Sequence, residues 1–480
     1  MHIATHPLTR ASTFKHRPDT LIFAIFVTLL FLAPIPAGAN REWGWAILLS
    51  CYALILIVQL TRNQYKISNE ESCATTHRIL IYSLLAVLAW QIIQVIPGLD
   101  LRTSEAADTS LNSLSRISND PYSTFQSILK TSLYIITFVL ALTFINSANR
   151  LRIFCLAIIA SGLFQAAYGS LALFTDYNDW NTGNHANTLL HSRGTFVNKN
   201  HLAGFLELSI SLCIGLLLGV FSYEKHDQWK LKTRFWLQLV LKPATQLRLF
   251  LVIMVIALVL THSRMGNSAF FLSLSLTGFT ALLIQYLRNR KLKRRSNIKT
   301  LSFLFASIIL VDLLVIGNWF GMDKVVERVE NTTIREETRF SLTSDILPVI
   351  KDNWLTGIGA GNFYSTYPKH QSENLGAFHD HAHNDILQTT LELGIPATLV
   401  LAAIVLYVQT QALLIFYRRN SRLYRGIALG SFMGITSLSI HSLSDFNLQI
   451  PANAMAFVSL LAIVLLCGHL DRHKLKEHFL

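Results

Sequence analysis

Long apolar segments separated by short polar ones run along the whole chain. Most of these segments are about 17–25 residues long, the length that an α-helix needs to cross the hydrocarbon core of a bilayer. The pattern predicts twelve membrane-spanning helices. Their predicted bounds are 20–36, 44–60, 79–97, 124–146, 152–174, 201–221, 248–262, 266–287, 300–320, 386–417, 426–441 and 452–470. The longest contains Pro396, which predicts a kink or a tilt there.

Polar loops connect the predicted helices, and the three largest fall on one side of the membrane. These are residues 98–123, 175–200 and 321–385. The last has 65 residues and includes an amphipathic stretch at 340–350. Because loops of this length are usually functional, we expect it to carry the active-site segment. We treat 1–480 as a single membrane domain.

Charge placement decides what the net charge of +13 means. If the N-terminus is inside, 28 of the 41 Lys and Arg residues lie in inner segments and 12 lie on the opposite side. Half of those 12 are in the 321–385 loop, and the charge bias does not apply to loops of that length. Basic runs such as 288–295 therefore indicate membrane topology and contact with anionic lipid rather than nucleic-acid binding.

The cysteines and the first helix add little chemistry. In this topology no cysteine reaches the outer side, so we expect no disulfide framework. Four cysteines lie in predicted helices and Cys73 lies in an inner loop.

The first apolar run ends in residues 36–39, which resemble a signal-peptidase site. We expect this helix to be retained, because the remaining charges then fall on the correct sides.

The polar segment 379–385 is the strongest candidate for chemistry. It contains His379, His381 and His383 and leads directly into an apolar helix. An imidazole can act as a base near neutral pH, and polar groups are costly beside hydrocarbon. Alternating histidines on a strand could also bind zinc, although this segment adjoins a helix start instead. A base, a metal site and a merely polar helix start are the three interpretations, and we favour a base.

Two arginines lie at predicted helix starts on the outer side. Arg193 belongs to the segment 191–201 and Arg264 to the segment 262–266. Backbone N–H groups and the positive end of the helix dipole favour anions at such places. Arginine adds planar, bidentate contacts to phosphate oxygens. The alternative for each arginine is an interfacial anchor that reaches lipid headgroups.

Three acidic residues fall within predicted helices. They are Glu207, Asp312 and Glu392. Such groups could line a proton path in a transporter. No internal symmetry between the halves accompanies them, so transport is the lesser alternative.

At these residues the sequence resembles the O-antigen ligase/polymerase family of bacterial inner-membrane glycosyltransferases. The family motif is a His followed by Asn, Ser or Gln, then nine residues, then a Gly-x-x-Gly/Thr/Tyr segment. Here it reads His383-Asn384, nine residues, and Gly394-Ile395-Pro396-Ala397, so Ala397 departs from the pattern. Other stretches that resemble the family are 34–41, 194–204, 263–264, 337–340, 352–363 and 441–448.

The resemblance implies an all-α, GT-C-like polytopic enzyme of about twelve helices with one large periplasmic loop. Such an enzyme takes a glycan from undecaprenyl diphosphate and passes it to a glycan, a lipid A–core or a protein hydroxyl, without cofactor or metal and with inversion. By position His383 would be the base, and Arg193 and Arg264 would hold the diphosphate. The residues that could support these three in the site are Asn384, His381, Arg339, Asn200 and His201.

The resemblance leaves three activities open. A ligase of the O-antigen type is the first interpretation, and a polysaccharide polymerase and a protein O-oligosaccharyltransferase are the alternatives. We expect the chain in the bacterial inner membrane with both termini in the cytoplasm. A polysaccharide or lipid transporter is the candidate from another class.

The charge distribution predicts the sidedness of two segments. In a cysteine-free background, Lys293→Cys should react with a membrane-impermeant maleimide only after the inner membrane is opened, because it lies in a basic inner segment. Glu373→Cys should react in intact spheroplasts. Labelling of both positions from the same side would contradict the topology.

Overall fold

The computed structural model of the chain describes residues 17–62, 71–99, 116–175, 191–220, 243–292, 332–372 and 379–470. These residues form α-helices and short 3-10 turns and contain no strand, which confirms the all-α polytopic membrane class. The helices are α1 (Arg17–Leu32), α2 (Glu42–Thr61), α3 (Glu71–Val95), α4 (Pro121–Phe144), α5 (Ala148–Phe174), α6 (Lys199–Val220), α7 (Pro243–Leu260), α8 (Arg264–Leu292), α9 (Thr332–Asp352), α10 (Phe363–Thr366), α11 (Asp385–Leu393), α12 (Ile395–Arg418), α13 (Arg422–His441) and α14 (Pro451–His469).

Most predicted membrane helices have a counterpart in the structure. Nine helices of the described ranges are long and apolar enough to cross a membrane: α2 to α8, α12 and α14. The shorter α1 and the helix α13 correspond to two further predicted segments. The predicted helix 300–320 lies outside the described residues, as does Asp312. Leu54, Phe279 and Leu406 are among the large apolar side chains exposed on the outer helices, as a lipid environment requires.

The core of the bundle is built around a close crossing of two helices. α6 and α14 are almost wholly buried, and α6 packs most extensively against α13. Glycines line that contact. A Cβ on Gly215 would lie 2.6 Å from the carbonyl oxygen of Gly426, and one on Gly430 would lie 2.5 Å from that of Ser211. Small residues of this kind let two helix backbones come into direct contact within a membrane.

The prediction of one continuous helix at 386–417 is wrong, because the chain breaks into α11 and α12. The break is at Gly394, two residues before Pro396, where a kink or a tilt was predicted. Gly394 has a φ of 83°, and a Cβ there would lie 2.5 Å from the carbonyl oxygen of Leu355. The Ile395 amide donates instead to the Trp354 carbonyl at 2.7 Å. Pro396 is tolerated in the first turn of α12, where no intrahelical N–H bond is lost.

Hydrogen bonds fasten the turn that follows α9 to the rest of the bundle. Gln94 at the end of α3 donates to the carbonyl oxygens of Thr356 at 2.8 Å and Glu392 at 3.0 Å. Its side-chain oxygen accepts from the Ala360 amide at 3.0 Å. The buried Glu392 carboxylate accepts from the Gly361 amide at 2.8 Å. The glycine-rich turn is thus tied to both α3 and α11.

The glycine-lined crossing predicts a difference between two Gly→Ala substitutions. Gly215→Ala should destabilise the protein by about 1–3 kcal/mol, because the added methyl group meets backbone that has no room to move. Gly468→Ala in α14 is the control, since its Cβ would make only ordinary contact with Ile415 at 3.4 Å. Thermal unfolding in detergent measures both. Equal midpoints for the two variants would contradict the close crossing.

Candidate functional site

The histidine segment turns sharply before α11. His383 has a φ of 48°, the left-handed conformation that residues other than glycine adopt infrequently. The next residue, Asn384, caps α11 by accepting from the Leu387 amide at 3.0 Å, and it donates to the Leu443 carbonyl at 3.0 Å. Asn384 therefore holds the segment in place.

His383 faces a buried carboxylate. Its Nδ1 lies 3.6 Å from Oδ1 of Asp445, the side chain of His383 is 28% exposed, and that of Asp445 is 1% exposed. Burial alone would raise the pKa of Asp445. The interactions with His383, His201 and His441 and the hydrogen bond from the Phe446 amide outweigh burial, so the pKa of Asp445 lies below its usual range. An ionised carboxylate beside an imidazole both orients the ring and stabilises its protonated form.

Phe446 brings three of the predicted histidines together. Its ring stacks on His381 with the centroids 4.1 Å apart. The rings of His201 and His383 meet it edge-on at 4.7 and 5.0 Å. His381 also contacts the Gln388 side chain at 3.2 Å, and burial lowers the pKa of His381. His381 is thus a partly buried side chain packed beside His383.

The segment that carries Asp445 is anchored to the start of α11. The buried Asp385 carboxylate accepts from the Ser442 hydroxyl at 2.7 Å and from the Leu448 amide at 3.0 Å. The Asp385 amide donates to the Ser442 carbonyl at 2.9 Å. Burial raises the pKa of Asp385 to about 7 in spite of these hydrogen bonds. These contacts fix the relative positions of His383 and Asp445.

A further acid–imidazole pair lies deeper, between α6 and α13. Glu207 Oε1 is 2.7 Å from His441 Nδ1, and both side chains are fully buried. The Ser437 hydroxyl donates to Glu207 Oε2 at 2.7 Å. His441 Nε2 lies 3.8 Å from Asp445 Oδ2. Glu207, predicted as a buried acid, therefore has a histidine partner within the bundle.

The predicted phosphate-binding arginines lie in the segment before α6 and at the start of α8. The segment before α6 joins the end of α7 through a bond of 2.9 Å from the Ser192 amide to the Leu260 carbonyl. Arg264 is the exposed first residue of α8. Burial, and then the charges of Lys199, Arg193 and His262, lower the pKa of His191 to about 4. Lys199 and Arg193 therefore lie close enough to act on His191, and their positive charge would favour an anion in this region.

α6 begins between the positive region and the histidines. Lys199 acts on His191 electrostatically, whereas His201, two residues later, packs on Phe446. The Asn200 amide donates to the Asn198 side chain at 2.9 Å, so this residue belongs to the start of the helix. Arg339 lies in α9, but its side chain is outside the described part of the structure.

The three alternating histidines do not converge. The rings of His379 and His383 are 6.3 Å apart, and His381 stacks on Phe446 instead. Burial lowers the pKa of His379. Among the described residues, no group of three or more His, Cys, Asp or Glu side chains is arranged to hold a metal ion.

The pairing of Asp445 with His383 was not predicted from the sequence. The stretch 441–448 was singled out only for its resemblance to the family. A local signal was nevertheless present, because His441 and Asp445 are spaced i,i+4 in a polar interruption between two apolar segments. Their partners, His383 and Glu207, are distant in sequence, and local spacing carries no information on such contacts.

Comparison with known protein families identifies part of the chain. Residues 249–402 match the family model described as O-antigen ligase. This match confirms the resemblance to the O-antigen ligase/polymerase family and supports a membrane glycosyltransferase. It includes Arg264 and the His383 motif, whereas Arg193 and Asp445 lie outside it. A comparison with curated proteins found no match.

Proposed function

We propose that this protein transfers a glycan from undecaprenyl diphosphate to an acceptor hydroxyl on the periplasmic face of the bacterial inner membrane, as an O-antigen ligase does. The observation that carries the proposal is a partly exposed His383 backed by a buried Asp445. The positive region around Arg193 and the exposed Arg264 supply the complementary anion site. Lipid A–core is the first acceptor we consider, and a growing polysaccharide or a protein hydroxyl would use the same donor chemistry.

His383 would act as the general base through Nε2. Its Nδ1 is buried and faces Asp445, so a proton on Nδ1 leaves the Nε2 lone pair to accept the proton of the acceptor hydroxyl. The acceptor oxygen bonds to the anomeric carbon as the bond from that carbon to the diphosphate oxygen breaks. A single displacement of this kind inverts the anomeric centre. Imidazole is a common general base in enzymes that work near neutral pH.

The arginines would stabilise the leaving group. The electron pair of the broken bond departs with undecaprenyl diphosphate, and negative charge grows on its terminal oxygen. Guanidinium groups fixed at Arg193 and Arg264 interact with that charge more strongly in the transition state than in the ground state. Arg264 begins the apolar helix α8 and Arg193 lies in the segment that precedes α6, so the lipid tail could remain in the bilayer beside these helices.

Removal of the proposed base tests its role. His383→Ala should lower the transfer rate by about 10²–10⁴-fold at normal protein level, because the acceptor hydroxyl loses its proton acceptor. His379→Ala is the matched control from the same segment and should be milder. The assay compares, in cells that carry each variant, how much lipid-linked glycan accumulates and how much glycosylated product appears. Full activity of His383→Ala would remove this base from the mechanism, and a transporter would change only the location of the glycan in the same assay.

Conservative replacement of the arginines tests diphosphate recognition. Arg193→Lys and Arg264→Lys should both be severely impaired, because lysine keeps the charge and loses the planar, bidentate contact. Transfer rates with purified lipid-linked glycan measure the effect. Retained activity in both variants would show that these positions supply charge alone.

A further inference from the structure

Three buried side chains form a row that leads from the interior of the bundle to His383. Glu207 is in α6, His441 ends α13, and Asp445 follows in the connection to α14. Their side chains are between 0% and 1% exposed. We call Glu207, His441 and Asp445 the buried acid–imidazole row.

We propose that Glu207 and His441 are positioning residues for the base. In this arrangement a doubly protonated His441 lies between two carboxylates and holds Asp445 ionised and directed at His383. The inference rests on the proposed transfer function, in which Asp445 supports His383. Neither Glu207 nor His441 touches substrate, so both act through Asp445.

The geometry of His441 supports a protonated ring. Nδ1 lies 2.7 Å from Glu207, and Nε2 lies 3.8 Å from Asp445. An ionised carboxylate can only accept hydrogen bonds, so the contact with Glu207 requires a proton on Nδ1. A second proton on Nε2 would point at the Asp445 carboxylate, which lies just beyond hydrogen-bond distance. Loss of one partner of such a buried pair leaves an uncompensated charge, which is strongly unfavourable. In this proposal the charge of Glu207 keeps His441 protonated, and protonated His441 offsets the charge of Asp445.

The contacts within the row are unequal in a way that suits a catalytic support. Glu207 Oε1 and His441 Nδ1 are 2.7 Å apart, a short hydrogen bond. The two contacts of Asp445 are longer, at 3.8 Å to His441 and 3.6 Å to His383. Asp445 Oδ2, His441 Nε2 and His383 Nδ1 have no hydrogen-bond partner. Catalytic hydrogen bonds are often long without substrate and shorten in the reacting complex, and charge that develops on His383 would shorten these.

Other titratable groups face the row and His383, and they define what a pH profile would report. Asp445 is faced by His383, His201, His441 and Asp385. His441 is faced by Glu207, Asp445, Asp385 and His201. His383 is faced by Asp445, His201, His379 and His381. Of the groups that face His441, only Glu207 makes a short hydrogen bond with it.

Removal of the Glu207 charge should therefore change the pH dependence of the reaction. In Glu207→Gln, His441 loses its counter-ion and releases its proton, so the negative charge of Asp445 is no longer offset. The uncompensated charge favours protonated His383, which cannot act as a base. The acidic limb of the kcat–pH profile should move to higher pH by about one unit. Asp445→Asn should move that limb the opposite way.

The experiment uses the purified full-length chain in detergent, with an undecaprenyl-diphosphate-linked oligosaccharide as donor and a lipid A–core acceptor. We expect kcat of Glu207→Gln and His441→Gln to fall by about 10–100-fold at pH 7 with KM nearly unchanged, as loss of a group that orients a functional imidazole commonly does. Glu207→Asp keeps the negative charge. The acidic limb of its kcat–pH profile should therefore lie at the wild-type pH, and its kcat should be higher than that of Glu207→Gln. Ser211→Ala is the matched control, because Ser211 lies one turn further along α6 against the backbone of Gly430.

The outcomes separate the inference from the proposed function. A wild-type protein without transfer activity would contradict the proposed function itself. An active wild type whose Glu207→Gln variant keeps the wild-type pH limb would overturn only the inference and leave Glu207 a packing residue. The inference would equally fail if Ser211→Ala and Glu207→Gln changed kcat and the pH limb alike. If Glu207→Gln does not accumulate in the membrane, Glu207→Asp with an altered pH limb would also overturn it.

Discussion

The arrangement at the polar end of the bundle depends on how closely α6 approaches α13. Backbone contact at Gly215 and Gly430 leaves no space for a side chain between the two helices. That approach lets Glu207 reach across to His441 at 2.7 Å. The connection after α13 starts from this fixed point and carries Asp445. A wider separation of the two helices, even by the width of one methylene group, would move the Asp445 carboxylate away from His383.

Opposite charges are kept apart at this end of the protein. The Asp445 carboxylate faces His383, whereas Arg193, Lys199 and His262 act together on His191. A reaction of the proposed kind creates one positive and one negative charge at the same moment. Each would then arise beside a group of opposite sign whose position is already set, so little reorganisation would be needed.

Hydropathy was sufficient to predict the class of fold and most helix positions, because a lipid environment demands long apolar segments. It failed at Gly394, where an apolar run continues through a break that only backbone geometry reveals. The sequence was sufficient to propose part of the candidate site. The motif at His383 and the helix starts at Arg193 and Arg264 could be identified locally. The partnership of Asp445 with His383 joins residues that are distant in sequence, and hydropathy and local spacing say nothing about such contacts.

The break at Gly394 also has a mechanical consequence. A membrane helix changes its tilt when the bilayer becomes thicker or thinner. Had 386–417 been one rod, each change in the tilt of α12 would have swung the histidine segment at its end. Instead α11 is a separate short helix, held by Asp385 to the 442–448 connection and by Glu392 to the glycine-rich turn. The histidine segment is thereby insulated from changes in the tilt of α12, so that membranes of different acyl-chain length can surround the same geometry.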